Sequence, residues 1–98
     1  HLTGFPMLVD AIVIWMGGEH RHIYKDLAIK YNCNAQMAEQ RIRKCIGYAF
    51  RNCDPKILNV YLHGTVPAYQ EKTPNYIFVA RIARVAQEKL ECGEVDGN

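Results

Sequence analysis

The densest hydrogen-bonding chemistry in this chain is carried by Gln36, Glu39, Gln40, Arg43 and Lys44, spaced by three, one, three and one. That spacing gathers them on one face of a helix. The opposite face of the same helix would carry Ala38, Ile42, Cys45, Ile46 and Ala49. Each outward side chain suits the edges of base pairs in a major groove. The Arg fork matches the guanine acceptors, Gln pairs with adenine, Glu accepts from the cytosine amine, and Lys or Arg neutralises phosphate. Gln36, Glu39, Gln40 and Arg43 are therefore candidate base-reading residues, and Lys44 is a candidate phosphate contact. Met37, Arg41 and Tyr48 lie toward one edge, from which Arg41 could also reach a phosphate. The N-terminal end of such a helix adds outward backbone N–H groups, which favour anions.

A reading face needs a second helix to hold it. Residues 23–50, IYKDLAIKYNCNAQMAEQRIRKCIGYAF, read as two amphipathic helices joined by a tight polar turn. The first begins near residues 20–22 and buries Ile23, Leu27, Ala28 and Tyr31; the second runs from Ala35 to about Arg51. Asn32-Cys33-Asn34 is the turn. Asn32 stands where Gly is frequent and tolerates the left-handed conformation, and Asn34 is a suitable N-cap. The pattern is that of a helix-turn-helix over about residues 21–52. From residue 20 to 56 there are eight Lys/Arg (21, 25, 30, 41, 43, 44, 51 and 56) against three acids (26, 39 and 54), an excess of five. The whole chain has a net charge of +2, so the remainder stands at −3. A basic half containing this motif is what attraction to a phosphate backbone requires. Lys25, Lys30, Arg41, Lys44 and Arg51 are the candidate phosphate-binding residues.

The flanking segments are helical as well. Pro6 suits a first helical turn, Met7, Leu8, Ala11, Ile12 and Trp15 form an apolar stripe, and Gly17-Gly18 ends the helix. Asp54-Pro55 and Thr73-Pro74 each pair a capping side chain with Pro, the start signal of a helix. The first of these helices carries Ile57, Leu58, Tyr61 and Leu62 up to His63-Gly64. The second buries Ile77, Phe78, Ile82, Val85, Ala86 and Leu90. No stretch alternates strictly enough to be a strand. The expected fold class is all-α, a compact domain of about five helices over residues 1–92, followed by a polar, frayed tail over 93–98.

Composition narrows the function. With 98 residues, 49% apolar and 22% charged, the chain can build one modest core. The longest apolar run, AIVIWM, is too short to span a bilayer, so no membrane partner is expected. The chain begins with His rather than Met and shows no leader, as expected of a domain cut from something longer. Cysteines 33, 45, 53 and 92 form no CxxC and match no zinc module, and His20 and His22 are poorly placed to chelate. Free thiols in a cytoplasmic protein are the expectation, with no metal and no cofactor. Neither a Ser/His/Asp or Cys/His arrangement nor a Gly-rich phosphate loop is suggested, so no catalytic residue is assigned and no enzyme is expected.

At these residues the sequence resembles a known family, the C-terminal DNA-binding domain of the stage-zero sporulation response regulator. HLTGFPMLVDAI is similar to its H-x-x-G-[YF]-x-x-L-x-x-A-I opening, DLAIKYN to its D-[IL]-A-x-K-[YF]-N segment, and AEQRIRKCIGYAF to its recognition helix. KTPNYIFVARIA is similar to its K-P-T-N-x-x-F-[IV]-A-x-[IV]-A stretch, with Thr73 and Pro74 in reversed order. The resemblance covers about residues 1–90. It implies a six-helix domain that binds duplex DNA as tandem head-to-tail copies, an upstream receiver domain, and contact with an RNA polymerase sigma factor. It also implies that Glu39 and Arg43 touch bases and that Lys44 sits among phosphate contacts.

This chain departs from the family at several points. Gln40 follows the acid where the family has Arg, Met37 replaces an Arg two residues before it, and Arg41 replaces a small apolar residue. The recognised box is therefore expected to differ from the family's TGTCGAA-like site, or affinity to be lower. A helix that precedes His1 in the family is missing, which would expose apolar surface on the first helix. The leading expectation is a sequence-specific, double-stranded DNA-binding effector domain of a bacterial transcriptional regulator. The alternative is a diverged helix-turn-helix that works as a protein-interaction module, favoured by the charges lost at Gln40 and Met37.

Overall fold

The computed structural model describes residues 4–54, 56–57 and 74–92. Four α-helices are present among them: α1 (Phe5–Met16), α2 (Ile23–Lys30), α3 (Ala35–Asn52) and α4 (Asn75–Cys92). No strand occurs among the described residues, and the class is all-α. No helix among them is long and apolar enough to cross a membrane. The helix expected over 54–64 lies mostly outside the described residues. Its start is visible, with Asp54 Oδ1 accepting from Lys56 N at 2.9 Å and the Asp54 carbonyl from Ile57 N at 3.0 Å.

The core forms where α1, α2, α3 and α4 meet. Met7, Leu8, Ala11, Leu27, Ala38, Ile42, Cys45, Ile46 and Val79 are buried together, and α1 packs against each of the other three helices. The stripe expected on α1 is the one buried, with Ile12 and Trp15 packed partly against it. Its other side is apolar too. Phe5, Val9 and Val13 are exposed, so α1 presents hydrocarbon on both faces.

Helix ends follow local chemistry. Past α1, Gly18 adopts φ 96°, with Gly18 N donating to the Trp15 carbonyl at 3.0 Å and Glu19 N to that of Ile14 at 3.4 Å. Past α2 the same pair of bonds recurs around Asn32 at φ 54°. Cys33 N donates to the Ala28 carbonyl at 2.9 Å and Asn32 N to that of Ile29 at 3.4 Å. Both are Schellman ends, which satisfy carbonyls that the helix itself leaves open. Asn34 then caps α3 through Oδ1, which accepts from Met37 N at 2.8 Å. The connection between α2 and α3 thus takes four residues, 31–34.

The fourth helix shows a correction. Its buried positions are Asn75, Val79 and Ala83; Ile77, Phe78, Ile82, Val85 and Ala86 are half-buried, and Leu90 is 56% exposed. Apolar residues cover so much of this helix that the pattern alone could not locate its centre. The row facing the core is Asn75, Val79 and Ala83. Pro74 directly precedes α4 rather than occupying its first position, and Thr73 lies outside the described residues.

Gly4 marks a close approach between the start of α1 and the backbone of α3. A Cβ added there would stand 2.3 Å from the Arg41 carbonyl oxygen, which belongs to the backbone of α3 and cannot swing aside. Gly4→Ala is expected to lower stability by about 1–3 kcal/mol, read as a reduced urea midpoint at unchanged m. At the turn, Asn32→Ala should cost about 1–2 kcal/mol for the left-handed conformation, whereas Asn32→Gly should leave the midpoint nearly unmoved.

Candidate nucleic-acid interface

Ala38, Ile42, Cys45 and Ile46 point α3 into the core, and this fixes what the helix turns outward. Gln36, Gln40 and Lys44 are exposed in a row spaced by four, with Met37, Tyr48 and Arg51 exposed beside them. Ala49, expected inside, is half-buried. Arg51 lies back along its own helix, its Nη1 within 3.1 Å of where a Cβ on Gly47 would stand. Lys25 is exposed on α2. Arg41 is half-buried at the edge where Gly4 crosses.

Glu39 and Arg43 occupy the other edge of α3, toward α4. Their side chains are 27% and 35% exposed and form an ion pair across one helical turn. Arg43 Nε donates to Glu39 Oε2 at 3.0 Å, and Nη2 donates to the same oxygen. From α4, Asn75 Nδ2 donates to the Glu39 backbone carbonyl at 3.1 Å and to Oε2 at 3.4 Å. Glu39 is therefore tethered as well as outward-facing, and Arg43 is held by it. Burial raises the Tyr24 phenol above its usual range, against the opposing influence of the neighbouring Asn75 amide. A pocket of about 390 Å³ opens over this cluster, lined by Trp15, His20, Tyr24, Glu39, Arg43 and Asn75 among others. Trp15 forms its aromatic wall, stacked on His20 at 3.9 Å between centroids and on Tyr76 at 6.4 Å.

Lys30 is engaged elsewhere. Its ammonium donates to Asp10 Oδ2 on α1 at 2.9 Å, and the Tyr31 hydroxyl donates to the same oxygen at 2.6 Å. These two donors fasten the end of α2 to α1. Cys33, Cys45 and Cys53 are free thiols, and burial pushes the Cys45 thiol up, away from the thiolate.

The base-reading candidates thus fall into two groups, Gln36 and Gln40 on the open row and Glu39 with Arg43 on the tethered edge. Sequence reasoning missed Asn75. It stands within the KTPNYIFVARIA stretch, but a contact spanning 36 residues leaves no trace in local periodicity.

An all-helical domain that turns the polar face of one helix outward beside a shorter partner helix fits the class of helical DNA-binding regulators. Residues 1–86 match the family described as Sporulation initiation factor Spo0A C terminal. The chain belongs to that family, which is DNA-binding and regulates transcription in sporulation as part of a response regulator; it is not a family of enzymes. Comparison with curated proteins and with solved structures finds no significant match.

The Asp10 cluster yields a pH prediction. Donation by Lys30 first, and then by Tyr31, holds the Asp10 carboxyl below its ordinary 3.8. A carboxyl whose folded value is depressed contributes stability above pH 3.8, and that contribution is lost as pH falls through the lower folded value. A carboxyl-detected NMR titration should place Asp10 below 3.8, and Lys30→Ala should move it back up.

Proposed function

We propose that this domain binds double-stranded DNA sequence-specifically, with α3 in the major groove. The observation that carries the reading is the exposed row Gln36, Gln40 and Lys44, set directly opposite the buried Ala38, Ile42 and Ile46. One rigid helix thereby offers base-edge chemistry on the side its packing leaves open. Gln36, Glu39, Gln40 and Arg43 read bases. Lys25, Arg41, Lys44 and Arg51 position the helix on phosphates, and Lys30 contributes from beside its Asp10 partner. Residues 1–92 act as one effector unit, with residues 21–52 as its helix-turn-helix, in a cytoplasmic regulator. Two copies align head to tail on tandem boxes, and a sigma factor is met through the region of residues 54–64. Gln40, standing where the family has Arg, shifts the preferred base at its position toward adenine.

A second reading, a protein-interaction module without specific DNA binding, draws on the exposure of Ile29 (76%) and Met37 (39%) in the α2–α3 unit. Fluorescence anisotropy against a duplex with two tandem family-type boxes and a shuffled duplex, at low and physiological salt, separates the two. The DNA reading expects tighter binding to the boxes and a steep loss with salt from counterion release. Arg43→Ala should cost about 1–3 kcal/mol on the boxes and relax specificity at one position. Lys44→Ala should weaken both duplexes alike and reduce the salt slope by about one. Equal losses from Arg43→Ala on both duplexes would contradict its assignment.

A further inference from the structure

We infer that Asn75, at the start of α4, is a positioning residue for sequence reading: its amide fixes the Glu39 carboxylate, and through it the Arg43 guanidinium, in the orientation that meets base edges. This rests on the DNA reading above and adds a helix to the reading unit that the helix-turn-helix does not contain.

Asn75 is only 4% exposed, in a row otherwise filled by Val79 and Ala83. An Asn near a helix N-terminus ordinarily uses its oxygen to cap the first turn. Here Oδ1 is buried without a hydrogen-bond partner, while Nδ2 is directed across to α3, at 3.1 Å from the Glu39 carbonyl and 3.4 Å from Oε2. The carbonyl lies in the interior of α3, where the helix's own ladder already supplies a donor, so the bond to it is not needed to satisfy that group. The amide thus incurs the cost of a buried, unpartnered oxygen while linking α4 to the one acid of the reading set. Glu39 Oε2 gathers three donors: Asn75 Nδ2, Arg43 Nε and Arg43 Nη2. A guanidinium anchored this way loses less rotamer freedom on meeting a base than one hanging in solvent, and it meets the wrong base without room to adjust. The benefit therefore lies in discrimination, not in overall attraction to DNA.

The test uses the whole domain and a tandem-box duplex enriched from a randomised pool, with its shuffled counterpart. Asn75→Ala should lower the selected-to-shuffled affinity ratio about tenfold. Affinity for the shuffled duplex and its salt slope should stay unchanged. In a Glu39→Ala background the same substitution should no longer move the ratio. In the free domain, the Arg43 Nε–Hε resonance should become more mobile in Asn75→Ala, a readout independent of DNA. If Asn75→Ala fails to fold, Asn75→Ser serves in its place with the same expectations. A ratio untouched by either variant, or one lowered equally with and without Glu39, would overturn the positioning role alone. A wild-type domain that prefers no duplex would overturn the base-reading assignment and this inference together.

Discussion

Everything outward in this domain depends on one packing constraint, the burial of a single face of α3 against α1 and α2. Ile42 and Ile46 are fully buried with Met7 of α1 and Leu27 of α2, and each such side chain contributes about 1.5–3 kcal/mol relative to exposure. Ala38, with no exposed surface, keeps the helices close. Once that face is committed, a helix has no freedom to choose its opposite face. Gln36, Gln40 and Lys44 face outward because rotating them inward would bury unpaired polar groups. The exposed polar face of α3 is a consequence of the core.

The connections serve the same constraint. Two Schellman ends, at Gly18 and Asn32, stop α1 and α2 with their last carbonyls satisfied, and Asn34 starts α3 at once. Asp10 secures the far end of α2 to α1 by accepting from Lys30 and Tyr31, and Gly4 lets the start of α1 touch the backbone of α3 at Arg41. α4 closes the assembly through Val79, Ala83 and the Phe50–Phe78 edge contact at 5.9 Å. Asn75, on the same helix, connects that closure to the Glu39–Arg43 edge of α3.

Features set by neighbours in the chain were legible in the sequence: the stripe on α1, the Gly17-Gly18 stop, the left-handed Asn32, the Asn34 cap and the polar face of α3. Each rests on period or on the conformational preference of one residue. What was not legible depends on partners distant in sequence. Lys30 reads as a phosphate-binding cation, yet it pairs with Asp10, 20 residues away. Glu39 reads as an outward acid, yet Asn75 reaches it from 36 residues away. On α4 the apolar residues are too many for the pattern to find the buried row, so Leu90 was expected inside and lies exposed. Of the candidate site, residue identities came from the sequence, and the division into an open row and a tethered edge came from packing.

In the proposed function, the exposed face of α3 is the surface that meets DNA. An amide and side-chain NMR titration of the labelled domain with the tandem-box duplex tests this most directly. The largest shifts are expected on residues 35–44 and on the Gln36, Gln40 and Arg43 side chains. The outer positions of α4, Arg84 and Glu88, should stay in place. Shifts centred on α4 or on the exposed Phe5, Val9 and Val13 of α1, with α3 silent, would contradict it.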